Sequence, residues 1–211
     1  MLKDGFYTEF KKRYTKILFS FPEIPSFKNF TFERLTEQNS EQLYLLFEGD
    51  TSPFVDARFK TYEDAKEYAK YSSLCGPFLP RHGGQDWLYK LNSEYAGILH
   101  LYDLSLETFA DNNNRAWIGF ATSQKFRASR ISIQVVNYFI NYVLTNYPCI
   151  DFIHGMILRE NKISESFLKK CGFMLDEVER LSKDHLFFVQ KREWLKPDFV
   201  VNRFDEEEWT W

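Results

Sequence analysis

Residues 151–173 read DFIHGMILRENKISESFLKKCGF and contain the segment that decides the fold. Residues 152–158 form an apolar-rich run that is short enough for one strand of a covered sheet. Asn161 is a good N-cap for the helix that follows, whose apolar face carries Ile163, Phe167, Leu168 and Cys171. Gly172 then offers a left-handed exit from this helix. The stretch therefore predicts a strand, a short capped helix with a glycine stop, and a further strand.

The composition of the 211 residues favours a packed globular protein. It includes 22 Phe, 12 Tyr and 5 Trp, and these rings bury large areas. The formal net charge of -3 and the pI of about 5.9 give no electrostatic reason to expect nucleic acid. The sequence has no apolar run of membrane-spanning length and does not begin like a signal peptide. We therefore expect a cytoplasmic protein that binds neither nucleic acid nor membrane.

The three cysteines, Cys75, Cys149 and Cys171, are widely spaced and include no Cys-x-x-Cys pair. An odd number with this spacing argues against a disulfide framework and against a zinc site. The sequence therefore predicts reduced thiols and no bound metal.

The remaining periodicity predicts alternating strands and helices without a visible repeat. The predicted helices cover residues 5–19, 40–47 and 61–74, and a long apolar helix follows Arg130. The predicted strands cover residues 31–35, 87–91, 95–102, 116–121, 174–181 and 185–191. The loops over 76–86 and 104–114 are long enough to be either functional segments or simple connections.

This order of elements resembles that of the GCN5-related N-acetyltransferase (GNAT) superfamily, and most of all its ribosomal-protein N-alpha-acetyltransferase-like branch. The resemblance includes Asn161, Ser164 and the Gly-Phe pair at 172–173, together with the strand residues Ile118, Gly119 and Phe120. It covers residues 30–194 as an acetyltransferase-like domain. Residues 1–29 would form an N-terminal helical extension, and residues 195–211 a C-terminal tail.

The resemblance implies an α/β (α+β) fold in which helices flank a mixed, mostly antiparallel, twisted sheet. In this family two parallel strands splay apart at the cofactor site. The pantetheine arm of acetyl-CoA, the co-substrate, would lie there beside Phe120, Ala121 and Thr122. Asn161 would hydrogen-bond the same arm.

The resemblance also implies that the pyrophosphate of acetyl-CoA binds where the long helix begins. The family's phosphate loop corresponds to Arg127, Ala128, Ser129, Arg130, Ile131 and Ser132. Arg130 stands at the family's central glycine, so it either leaves room for the phosphates and contacts them, or closes the loop by its bulk. Basic residues here are also compatible with an ordinary exposed start of a helix.

Two candidate catalytic residues follow from the same resemblance. Many relatives protonate the leaving thiolate with a tyrosine, but this chain has Leu168 there, which makes Ser164 the candidate. Ser164 is equally compatible with a hydrogen bond to its own helix backbone. The general base is predicted to be Asp103, with Asp86 second, although both also suit turns.

The four histidines give weaker indications. His82 either borders the acceptor or is a solvated loop residue. His100 alternates with Leu99 and Leu101 and faces either substrate or solvent, whereas His154 and His185 suit structural positions.

The expected function is transfer of an acetyl group from acetyl-CoA to a primary amine by direct attack. The acceptor would be a protein N-terminus or a small-molecule amine. The alternative is a catalytically degenerate member that binds acyl-CoA or a protein partner, as Arg130 and Leu168 would permit. The expected partners are acetyl-CoA and an amine acceptor, with a homodimer left open.

Overall fold

The computed structural model describes residues 23–74, 84–102, 115–127, 129–146, 150–176 and 183–191. The predicted helix over 5–19, the predicted loop over 104–114 and the C-terminal tail lie outside these ranges. So do Cys75 and Cys149. Cys171 is buried and has a free thiol.

The described residues form seven strands and four α-helices, in the predicted order. The strands are β1 (Phe30–Arg34), β2 (Gly84–Leu91), β3 (Glu94–Tyr102), β4 (Arg115–Thr122), β5 (Phe152–Leu158), β6 (Met174–Leu175) and β7 (His185–Lys191). The helices are α1 (Ser40–Phe47), α2 (Tyr62–Leu74), α3 (Ile131–Asn146) and α4 (Lys162–Lys170). Three short 3-10 helices cover Glu37–Asn39, Ala57–Phe59 and Gln124–Phe126.

The seven strands form one sheet in the order β1-β2-β3-β4-β5-β7-β6. Only β4 and β5 run parallel to each other, and every other neighbouring pair is antiparallel. This arrangement confirms the predicted mixed, mostly antiparallel sheet.

Helices cover both faces of the sheet, and each face has its own core. On one face, residues of α3 and α4 pack against the strands, with Val135, Phe139, Leu168, Leu99 and Ile153 among the buried side chains. On the other face, α1 and α2 pack against Leu88 and Ile98. Side chains of successive strand residues alternate between these two faces.

The β2–β3 hairpin contains an irregularity that matters for the site. Its two-residue turn holds Asn92 and Ser93 at φ 50° and 69°, the left-handed conformations of a type I′ turn. Lys90 pairs with Tyr95, but the register then shifts, so that Tyr89 pairs with Gly97. This β-bulge moves every later pairing by one residue.

The parallel strands β4 and β5 separate before they end. Their ladder pairs residues 115–117 with residues 152–154, and Trp117↔His154 is its last pair. Beyond it, β4 continues to Thr122 against β3, while β5 continues to Leu158 against β7. The two strands therefore leave a gap between their carboxyl ends, as the resemblance predicted.

Candidate active site

The gap between β4 and β5 faces unpaired backbone groups of β4. The N–H of Ser123 donates to the carbonyl of Ala96 at 2.9 Å, so the backbone groups of Ser123 point toward β3. Along β4 the backbone groups of successive residues point alternately toward β3 and toward β5. By this alternation the backbone groups of Gly119 point toward β3, and those of Phe120 point toward β5. Because the β4–β5 ladder has already ended, the N–H of Phe120 faces the gap without a strand partner.

The first turn of α3 supplies a second set of backbone donors. Ile131 and Ser132 are the first two residues of the helix, so their N–H groups have no intrahelical acceptor. The N–H groups of Ile133 and Gln134 both donate to the carbonyl of Arg130, at 3.1 and 3.3 Å. The start of α3 therefore offers free N–H groups and the positive end of a helix dipole, a combination that suits a polyanion.

A buried chain of hydroxyls ties this first turn to the end of β4. The hydroxyls of Tyr89 and Thr122 lie 2.8 Å apart, and those of Thr122 and Ser132 are also 2.8 Å apart. Gly97 makes room for the chain, since a Cβ there would lie 2.3 Å from the carbonyl oxygen of Ala121 and 2.4 Å from the Tyr89 hydroxyl. The chain fixes the helix start relative to the gap.

Arg127 holds the predicted phosphate loop onto the segment that follows α1. Its guanidinium forms an ion pair with Asp50, and its Nε donates to the carbonyl of Thr122 at 2.9 Å. The Asp50 side chain is only 3% exposed, while that of Arg127 is 34% exposed. Burial alone would raise the pKa of Asp50, but hydrogen bonds from Arg127 and the Ser52 backbone bring it below its ordinary value. A direct contact of Arg127 with pyrophosphate stays a prediction.

The other residues of the predicted loop lie around the start of α3. Arg130 is exposed, and the Ser129 hydroxyl donates to the carbonyl of Phe126 at 2.5 Å. Ala128 lies outside the described residues. Whether Arg130 contacts or obstructs the phosphates stays a prediction.

Asn161 caps α4 as predicted. Its Oδ1 accepts a hydrogen bond from the Ser164 N–H at 3.0 Å, which leaves the side-chain N–H₂ of Asn161 to donate elsewhere. The Ser164 hydroxyl is half-buried and has no hydrogen-bond partner among the described residues. The alternative interpretation, in which this hydroxyl bonds its own helix backbone, is therefore not what the structure shows.

The helix α4 packs closely on both strands that border the gap. Phe167 contacts Phe120, with ring centroids 4.5 Å apart. Leu168 is 1% exposed, and a Cβ at Gly155 would lie 3.3 Å from its Cδ1. Leu168, at the position where many relatives carry tyrosine, is thus a core residue over β5.

A cavity of about 600 Å³ opens on the sheet face that α1 and α2 cover. The described residues that line it come from α2, β2, β3, β5 and the 3-10 helix Ala57–Phe59 or its cap. They include Asp56, Arg58, Tyr68, Asp86, His100 and Met156. Met156 belongs to the part of β5 that lies beyond the ladder with β4, so the cavity reaches the border of the gap.

Asp86 and His100 form a hydrogen-bonded pair inside this cavity. Their side chains are 11% and 16% exposed, and His100 Nδ1 contacts Asp86 Oδ1. Tyr68 Oη lies 3.0 Å from the same nitrogen. Burial alone would raise the pKa of Asp86, but the charge and hydrogen bond of His100 lower it. Burial, together with the charge of Asp86, raises the pKa of Tyr68.

Some predicted residues lie elsewhere. Asp103, the first candidate base, and His82 lie outside the described residues. Asp86 is part of β2, so the interpretation of it as a turn residue is wrong. His154 is buried in the core, where burial and then Arg115 lower its pKa to about 4.

Sequence reasoning missed two residues near the site, Asp50 and Tyr68. Asp50 lies 77 residues from Arg127 in the chain, and Tyr68 lies 32 residues from His100. No local pattern marks either pairing. The one indication in the sequence is that Tyr68 and Ser72 are one helical turn apart on α2, so that these two side chains share a face of that helix.

The residues that the structure describes offer neither a metal site nor a membrane-spanning helix. No group of three or more His, Cys, Asp or Glu side chains there could hold a metal ion. No helix in that part of the chain is long and apolar enough to cross a membrane.

Comparison with known proteins supports the fold through structure rather than sequence. No protein-family model matches the chain, and no curated protein matches its sequence. Among solved structures, RimL, a ribosomal L7/L12 alpha-N-protein acetyltransferase in complex with coenzyme A, is similar with a TM-score of 0.63 and 16% identity. The match covers 81% of this chain and 98% of that one.

Two other similar structures are those of a spermidine acetyltransferase and a self-immunity acetyltransferase. A chimera of the spermidine N-acetyltransferase SpeG from Vibrio cholerae with hSSAT has a TM-score of 0.62 and 11% identity, over 79% of this chain and 97% of that one. The microcin C7 self-immunity acetyltransferase MccE, in complex with acetyl-CoA and AMP, has a TM-score of 0.59 and 17% identity, over 78% of this chain and 93% of that one. The sheet order, the β4–β5 gap and these similarities confirm the predicted resemblance at the level of structure: the chain has the fold of the GCN5-related N-acetyltransferases.

Proposed function

We propose that the protein transfers the acetyl group of acetyl-CoA to a primary amine. The observation that carries the proposal is the gap beyond Trp117↔His154, where the N–H of Phe120 faces β5 without a strand partner. A backbone donor in a narrow gap suits the carbonyl oxygen of a thioester, because that oxygen gains negative charge when an amine attacks.

The rest of acetyl-CoA has matching groups along the same edge. The N–H groups of Ile131 and Ser132 suit the pyrophosphate. The N–H₂ of Asn161, which has no acceptor among the described residues, suits a carbonyl of the pantetheine arm. The similar RimL structure contains coenzyme A and the similar MccE structure contains acetyl-CoA, which supports the same class of ligand here.

The reaction needs no covalent intermediate on the protein. The neutral amine attacks the thioester carbonyl, the C–N bond forms, and the C–S bond then breaks with its electron pair on sulfur. Ser164 is the candidate donor of a proton to the thiolate, because its hydroxyl has no hydrogen-bond partner in the described part of α4. The acceptor would be a protein N-terminus or a small-molecule amine, and the similar structures include acetyltransferases for both.

Thiol release from acetyl-CoA in the presence of amines tests this proposal. The panel contains a serine-initiated tetrapeptide amide, spermidine and free lysine, with binding of acetyl-CoA measured by calorimetry on the same preparation. We expect binding and release of free CoA with at least one amine. Binding without release would favour the alternative of a non-catalytic acyl-CoA-binding protein. Absence of binding to the folded protein would contradict the proposal.

A further inference from the structure

The cavity on the α1–α2 face holds a histidine whose environment suits proton transfer. We propose that His100, oriented by Asp86, removes the proton from the acceptor amine, and that this cavity admits the amine. This inference rests on the proposed function, because it assigns to His100 the deprotonation of the amine that attacks acetyl-CoA.

The β-bulge brings the two side chains together. Without the register shift between Tyr89 and Lys90, the hairpin would pair Asp86 with Leu99, and Asp86 and His100 would lie on opposite faces of the sheet. With the shift, Asp86 pairs directly with His100. Cross-strand partners stand about 5 Å apart at Cβ, so the carboxylate reaches the ring.

The partner of Nδ1 decides which ring nitrogen can take a proton. Asp86 is buried, and the oxygens of its carboxylate can only accept hydrogen bonds. Because Nδ1 contacts Asp86 Oδ1, the neutral ring of His100 carries its proton on Nδ1 and has its lone pair on Nε2. Nε2 has no hydrogen-bond partner among the described residues. Asp86 would also stabilise the imidazolium that forms when Nε2 takes a proton.

The ring of His100 lies against β4 at the position next to the proposed oxyanion donor. A Cβ at Gly119 would stand 3.0 Å from His100 Cδ2, the carbon bonded to Nε2. Gly119 directly precedes Phe120, whose N–H faces the gap. The proton acceptor and the donor for the thioester oxygen therefore meet β4 at consecutive residues. The absence of a side chain at Gly119 is what lets the ring approach.

The charges around His100 favour an ammonium as the incoming group. Titratable groups face it from three elements: Asp86 on β2, Tyr68 on α2, and Asp56 with Arg58 around the short 3-10 helix. Asp56 and Arg58 form an ion pair with each other. Among the described lining residues, two carboxylates and one guanidinium leave one net negative charge when His100 is neutral. Tyr68 adds an aromatic ring, and such rings attract cations.

Each of the three protons of the acceptor ammonium has a defined destination in the proposed reaction. The ammonium gives one of its three protons to Nε2, and the neutral amine then attacks the thioester carbon. After the C–N bond forms, the nitrogen loses a second proton and keeps the third in the amide. The C–S bond breaks, and the thiolate takes one proton. The proton on Nε2 passes to solvent, so the reaction releases amide, CoA thiol and one proton.

Kinetics of matched histidine variants test the proposal. In His100→Gln the amide N–H₂ still donates to Asp86 but cannot take a proton, so we expect kcat to fall about 10²- to 10⁴-fold. The affinity for acetyl-CoA should stay within about threefold, and the rise of kcat/KM with pH should disappear. Asp86→Asn should lower kcat at least about tenfold and alter the same pH profile. His185→Gln, which changes a histidine on β7 outside the cavity, serves as the control and should behave like the wild type.

Nitrogen NMR of the His100 ring gives a test that does not depend on turnover. We expect the tautomer with the proton on Nδ1, its conversion to the alternative tautomer in Asp86→Asn, and a shift of the Nε2 signal when spermidine or the tetrapeptide amide is added.

A proton on Nε2 in the wild type, or wild-type kinetics in His100→Gln, would overturn the inference while acetyl transfer itself stands. Failure of the wild type to bind acetyl-CoA would instead overturn the proposed function. If acetyl-CoA binds but none of the three amines in the panel reacts, the tautomer of His100 and the response of its Nε2 signal decide whether the inference stands.

Discussion

The ion pair between Arg127 and Asp50 gives a prediction whose size follows from burial. The Asp50 carboxylate is 3% exposed and accepts hydrogen bonds from Arg127 and from the Ser52 N–H. Removing the partner of a fully buried ion costs about 3–5 kcal/mol. Because the Arg127 side chain is 34% exposed, water can partly replace it, so Arg127→Met should cost about 2–3 kcal/mol.

Thermal unfolding provides the assay. For a chain of this length, a loss of about 2–3 kcal/mol lowers the Tm by roughly 4–12 °C. The matched control is Lys125→Met, two residues earlier in the short 3-10 helix before the loop, where Lys125 pairs with Glu94 and both side chains are more than half exposed. Such exposed pairs contribute about 0–1 kcal/mol, so the Tm should barely move. If the Tm decreases no more in Arg127→Met than in Lys125→Met, the buried Arg127–Asp50 ion pair does not stabilise the fold as predicted.

Binding of acetyl-CoA to Asp50→Asn separates the two roles of Arg127. If Arg127 only positions the phosphate loop, Asp50→Asn should weaken binding about as much as Arg127→Met does. If Arg127 contacts the pyrophosphate, releasing it from Asp50 should preserve or tighten binding, and only Arg127→Met should weaken it.

Three further predictions concern single residues. Gly97→Ala should cost about 3 kcal/mol or more in urea unfolding, because its Cβ would meet a backbone oxygen at 2.3 Å, whereas Gly155→Ala, whose Cβ would meet only Leu168 methyl carbons, should cost less. Ser164→Ala should lower kcat roughly ten- to a hundredfold with acetyl-CoA affinity within about threefold; unchanged turnover would mean that solvent protonates the thiolate. The pKa of His154 is about 4 in the folded protein, against an ordinary value of 6.5. As the pH falls, the unfolded chain therefore binds a proton at this residue before the folded protein does, and the free energy of unfolding should drop by about 3 kcal/mol between pH 6.5 and 4. His154→Phe should remove this part of the pH dependence, and an unaltered slope would count against a neutral buried His154.

The sequence predicted the elements because their boundaries are set by local chemistry. Asn161 caps α4 with its own side chain, Gly172 takes φ +82° at the helix end, and Asn92 and Ser93 form the tight turn of a hairpin. Each of these signals depends only on residues within a few positions, so it can be read without knowing the tertiary structure.

The candidate site could be predicted only in part, because its pairings are distant in the chain. The gap followed from the resemblance, but the Arg127–Asp50 pair joins residues 77 positions apart. The contact of Asp86 with His100 depends on a bulge that leaves no clear sequence signal. In a hairpin without a bulge, the side chains of Asp86 and His100 would lie on opposite faces of the sheet. The extra residue in β3 places them on the same face.

A crystal structure of the protein with acetyl-CoA would test the proposed acetyl-CoA site directly. We expect the pantetheine arm to lie between β4 and β5, with the thioester oxygen about 3 Å from the Phe120 nitrogen and pyrophosphate oxygens about 3 Å from the nitrogens of Ile131 and Ser132. Density for acetyl-CoA elsewhere on the molecule, or a gap closed by side chains at saturating acetyl-CoA, would contradict it.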